Sequence, residues 1–144
     1  MVGLQFGLLG LLFLKPSGAL LSDASYLKNI STVLTVSAIA IFIAAYIALK
    51  PSLRISPIPK PGAALIVVGI YKWFRHPMYL GVLLIGAGFL LNNFNTASGI
   101  IWVALLINMI IKARYEDELL SIRHPEAKIY QSKTLGLMGK RTEK

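Results

Sequence analysis

Residues 30–49 run for 20 positions without a charged side chain and stop at Lys50-Pro51. A helix of that length rises about 30 Å, the thickness of a bilayer's hydrocarbon core. Inside a soluble domain such a run would need a large core around it, and a chain of 144 residues cannot build one. The composition agrees: 56% of residues are apolar and 15% charged, against roughly 45–50% and 25% in soluble domains. Lipid must solvate much of this surface.

Other segments follow from where the chain breaks. Residues 2–14 are apolar and end at Lys15-Pro16, which reads as a second membrane segment that spans to about residue 21 or dips into the bilayer. No basic flank precedes it, so a cleavable signal peptide is not expected. Pro51, Pro57, Pro59 and Pro61 forbid a helix between 50 and 75 and predict a stiff loop. Within it, residues 63–69 suit an interfacial piece. Pro77–Asn92 and residues 97–112 are two apolar arms of 16 residues each, separated by a short turn-forming stretch. They predict an antiparallel helical hairpin, with Gly81, Gly86 and Gly88 giving the first arm a small face for close packing. Beyond Lys112 the chain turns basic and amphipathic to about Gln131, and residues 140–144 should fray. The expected fold is all-α: one domain (1–144), a polytopic bundle of about four membrane helices with a C-terminal cytosolic amphipathic helix. Its parts are membrane helices (1–50), a proline-rich loop (51–76), the hairpin (77–112) and a cytosolic segment (113–144).

Charge orients the bundle. Thirteen of the 15 basic residues lie in the loop or from Lys112 onward, leaving only Lys15 and Lys28 on the other side. The positive-inside rule then places loop 50–76 and the C-terminus in the cytoplasm. The net charge of +9 flanks apolar runs, as it does in proteins that meet lipid headgroups, so membrane lipids rather than nucleic acid are the expected partners. Without cysteine, disulfides and thiolate chemistry are excluded. His124 has no second ligand at useful spacing, so no metal site is expected.

The hairpin also locates the chemistry. Equal arms return the chain to its starting depth, so His76 should neighbour Glu116, Asp117 and Glu118, which are three of only six acidic residues. Pro77 suits the first turn of a helix, whose free N–H groups favour an anion. Arg75 and His76 add donors there, while the acids opposite favour a cation or hydroxyls. A zwitterion such as S-adenosylmethionine is one ligand of that polarity. The plainer alternatives are interfacial anchors (Lys72, Arg75, Tyr71, Trp73, Tyr79), a helix cap (His76-Pro77) and a solvated charge run (Glu116 to Glu118).

Gly69-Ile70-Tyr71 followed by Arg75-His76-Pro77-Met78-Tyr79-Leu80-Gly81 resembles the isoprenylcysteine carboxyl methyltransferase family, a relative of the phospholipid methyltransferases. Glu116-Asp117 with Leu120 is similar to that family's acidic pair, and Pro125-Glu126, Tyr130, Lys133 and Thr134 to its C-terminal pattern. The resemblance covers roughly residues 60–134. Ile70 stands where proline is usual, Asp117 where a second glutamate is, and Ala127 where tyrosine is frequent. The resemblance implies a membrane methyltransferase that uses S-adenosylmethionine at the cytosolic face and takes a lipophilic substrate from the bilayer. His76, Pro77, Tyr79, Glu116 and Asp117 would be cofactor-binding residues. Arg75 and Arg114 would orient an anionic substrate or the cofactor carboxylate. Two further readings share these residues: an NADPH-dependent membrane sterol-type reductase, and a non-enzymatic membrane protein that keeps the scaffold.

Overall fold

The computed structural model describes residues 2–14, 25–50, 65–92, 94–137 and 139. Most of the proline-rich loop, Lys15, Asn93 and the tail 140–144 lie outside them. The described residues form five helices: α1 (Val2–Leu14), α2 (Ser25–Leu49), α3 (Pro77–Asn92), α4 (Thr96–Arg123) and α5 (Ala127–Lys133), with a 3-10 turn at Gly69–Lys72. α2 and α4 are long and apolar enough to cross a bilayer, while α1 and α3 are shorter apolar helices.

The packing is inverted relative to a soluble bundle. In α2 the buried residues are Ser31, Ala38, Ala45 and Ala48. Five of its β-branched side chains point outward: Val33, Val36, Ile39, Ile43 and Ile47 are all at least half exposed. The spacing of 31, 38 and 45 keeps the small residues on one face, so backbones approach closely without large side chains between them. α3 answers with glycines. A Cβ at Gly81 would lie 3.0 Å from the Phe42 ring, and one at Gly88 only 2.8 Å from Thr35 Oγ1. Ser31 Oγ donates across this seam to the carbonyl of Gly88 at 2.8 Å. α1 closes the other side against α4 and α3, around a core of Leu12, Val82, Leu83, Leu105 and Met109.

α3 spans the expected first arm. The second arm does not stop at Lys112: α4 is capped by Asn95, whose side chain accepts from Ser98 N at 2.9 Å, and continues to Arg123. Loss of hydrophobicity ends a lipid-facing stretch but not a helix, and residues 113–123 contain neither glycine nor proline. Pro125 ends it, since the residue before a proline is pushed out of helical geometry; His124 is extended, with φ −131° and ψ 102°. The expected amphipathic segment is therefore divided between the end of α4 and the separate α5. Gly69, at φ +59° and with an ideal Cβ 3.0 Å from that of Ala48, is a position that only glycine fills without strain.

Candidate active site

His76 immediately precedes Pro77, the first residue of α3, and its carbonyl accepts from Tyr79 N and Leu80 N, both at 3.1 Å. This turn fixes His76 and Tyr79 on one side, with rings stacked 5.2 Å apart at 6°. α4 reaches the same level with its two acids. His76 Nε2 lies 2.9 Å from Asp117 Oδ1. A carboxylate only accepts, so Nε2 carries the proton. His76 Nδ1 lies 3.8 Å from Glu116 Oε2, within ion-pair reach but too long for a hydrogen bond. Tyr79 OH donates to Glu116 Oε1 at 2.5 Å. The histidine side chain is 12% exposed and that of Asp117 13%, whereas Glu116 is 44% exposed, which leaves Glu116 the acid open to a ligand.

Arg75 is built in from behind. Its side chain is 5% exposed, with Nη1 3.3 Å from Asp117 Oδ2. Nη2 donates to the Gly139 carbonyl at 3.0 Å. Its backbone N donates to Leu135 O at 2.9 Å, and Leu135 N donates back to Trp73 O at 2.8 Å. Residues 135–137 and Gly139 thus strap across the start of α3. Gly136 has no room for a side chain, because a Cβ there would land on the Arg75 guanidinium. Gly136→Ala should displace the guanidinium and loosen Asp117, weakening ligand binding at the corner about tenfold. A binding titration checks this, with Gly7→Ala, where a Cβ meets nothing within 4 Å, as the neutral comparison. Nε and Nη1 of Arg75 are buried without a hydrogen-bond partner among the described residues. Nη1 therefore meets Asp117 through charge rather than an aligned bond, and both N–H groups are enclosed within the protein.

These groups border a cavity of about 430 Å³ lined by Arg75, His76, Pro77, Tyr79 and Glu116, with apolar walls from Leu49, Leu65, Met78 and Leu120. That volume lies within the range of small-molecule sites. Ile66, Tyr71, His124 and Tyr130 complete the lining, and Tyr130 OH donates to Tyr71 O at 2.7 Å. Burial pushes the Tyr130 hydroxyl up to about 12, so it stays a donor at physiological pH. Gln131 Nε2 donates to the Asp117 carbonyl at 2.8 Å and ties α5 to α4 directly behind the acid.

Of the residues anticipated from sequence, Arg75, His76, Pro77, Tyr79 and Glu116 line the cavity, and Asp117 stands behind His76 and Arg75. Arg114 does not join them. It is exposed and outside the lining, because two residues before Glu116 on a helix is about 200° of rotation. Several contributors were not anticipated as site residues. Lys112, one turn before Glu116 on the same face, holds its ammonium 4.8 Å from the Tyr79 ring centroid and 3.5 Å from Gln5 Oε1 of α1. The spacing from Glu116 could have signalled Lys112. Nothing in the sequence signals Gln5, Gln131 or Gly136.

The family model of the isoprenylcysteine carboxyl methyltransferases matches residues 30–124, from α2 through the acidic pair to the end of α4. Comparison with curated proteins gives no match, and neither does comparison with solved structures. The match covers well over half the chain and includes the histidine-proline corner with both facing acids, so this protein belongs to the isoprenylcysteine carboxyl methyltransferase (ICMT) family of membrane methyltransferases.

Proposed function

We propose that this protein is an S-adenosylmethionine-dependent methyltransferase that acts on a lipophilic substrate at the membrane, with carboxyl O-methylation of a prenylcysteine-like molecule as its reaction. One observation carries the reading: the cavity has an acid-and-histidine corner on one side and aliphatic walls on the other, as transfer between a polar donor and a lipid requires. In this reading α1 to α4 all lie in the bilayer, and the loop 50–76 and the C-terminal segment face the cytoplasm.

The chain's residues fit the donor molecule. The positive charge of Arg75 in the cavity lining suits a carboxylate, and the half-exposed Glu116 suits an ammonium or hydroxyl group. When bound, S-adenosylmethionine supplies a methyl group on a positively charged sulfur, open to in-line displacement. The protein's task is then to position the reactants and exclude water. Asp117 holds the His76 ring by Nε2, and Tyr79 holds Glu116, so neither group must reorganise on binding. The cluster need not remove a proton for a carboxylate nucleophile, which arrives ionised. Leu49, Leu65 and Leu120 would hold the substrate's apolar part.

Calorimetric titration of purified protein in detergent tests this. The wild-type chain should bind S-adenosylmethionine and not NADPH. His76→Ala and Glu116→Ala should each weaken binding by about tenfold or more, the loss expected for one charge-assisted hydrogen bond, while thermal unfolding stays cooperative. Undiminished binding in both variants would remove the site.

A further inference from the structure

A second hollow, of about 570 Å³, borders the first and shares Leu65 and Tyr130 with it, but none of its charged residues. It is lined by Leu65, Val67 and Lys72 from the segment before α3 and by residues in and beside α5. Its floor is apolar, built by Leu65, Val67 and Ile129, and Lys72 and Lys133 stand in its lining. We propose that this groove is a binding site for an anionic glycerophospholipid, distinct from the methyl-transfer cavity. The phosphate would sit between the two ammonium groups and an acyl chain along the floor.

The argument rests on the pairing of chemistries in one place. Ile129 is 57% exposed and Val67 41%, and the adjoining Trp73, directly after Lys72, is 70% exposed. Aliphatic surface beside an exposed tryptophan and lysines is the composition of a headgroup boundary. The lysine stems extend the apolar floor while their ends reach a phosphate. Each basic residue near an anionic lipid surface contributes about fivefold in binding, so two together predict a preference of about 25-fold. Glu126, the one acid in the lining, lies 3.3 Å from His124 Nδ1, on the side of the first cavity. A free phosphate would answer the lysines but leave the floor uncovered. A zwitterionic lipid would cover the floor but bring a cation to the lysines. Only a lipid with net negative charge satisfies both. The inference does not depend on the methyl-transfer reading.

The test uses the full chain in detergent, with bound lipid counted by native mass spectrometry. Dioctanoyl phosphatidylglycerol should bind about 25-fold more tightly than dioctanoyl phosphatidylcholine, and inorganic phosphate at matched ionic strength should not displace it. Lys72→Gln with Lys133→Gln should erase the preference and leave S-adenosylmethionine binding unchanged. Arg123→Gln with Lys128→Gln removes the same charge outside the groove and should keep it. Equal binding of the two lipids by the wild-type protein overturns the proposal without any variant. So does displacement by phosphate, or a preference that survives loss of Lys72 and Lys133.

Discussion

Asp117→Ala should abolish measurable S-adenosylmethionine binding and lower the unfolding temperature as well, whereas His76→Ala and Glu116→Ala should act on binding. Its carboxylate is shared: Oδ1 accepts from His76 and Oδ2 faces Arg75. Removing it frees the His76 ring to rotate and leaves a guanidinium that is 5% exposed with only the Gly139 carbonyl as a bonded partner among the described residues. Stranding one member of a buried ion pair costs about 3–5 kcal/mol. Asp117→Asn separates the two consequences. It can still accept from His76, yet it offers Arg75 no charge, so stability should fall while part of the affinity remains. Thermal unfolding and ligand titration on the three proteins decide this. An alanine variant as stable and as tightly binding as wild type would mean that the corner is incidental.

Gly88→Val should destabilise the bundle without touching the cavity. The added Cβ would lie 2.8 Å from Thr35 Oγ1 and 3.3 Å from the Ser31 carbonyl. Thr35 is held in turn by that carbonyl at 2.9 Å, and the bond from Ser31 Oγ to Gly88 O runs through the same contact. Overpacking costs about 1–3 kcal/mol, and the lost seam hydrogen bond about 1 kcal/mol more. Gly99→Val, at a helical glycine with nothing within 4 Å, is the matched comparison and should unfold near the wild-type temperature. Equal unfolding temperatures for the two variants would show that the α2–α3 seam tolerates separation.

The sequence discloses height better than direction. Two arms of equal length predict that His76 and the acids share a level, because an antiparallel helix pair converts residue number into depth at 1.5 Å per residue. The approach of His76 to Asp117, 41 residues away, follows from that arithmetic. The same reasoning carries no azimuth, so it does not tell which side chains at that level line the cavity, and Arg114, expected to orient an anion, lies outside the lining. It misplaces the end of α4 for a related reason: hydropathy marks where lipid contact ends, and only Pro125 marks where the helix does. The burial of Arg75 is hidden altogether. It depends on a turn 60 to 64 residues downstream, whose glycines give no sign of the partner they accommodate. Gln5 and Lys112 are 107 residues apart, and no local pattern links them.

The strap formed by residues 135–137 and Gly139 also sets an order of assembly. The stretch from 25 to 123 contains the long apolar helices and both acids, and it leaves the ribosome before the residues that receive Arg75. A nascent chain can therefore settle into lipid while its guanidinium still lacks its seat. Only when Leu135 pairs with Trp73 and Arg75 is the corner finished, so competence to hold a ligand should arrive after membrane integration, as its last step.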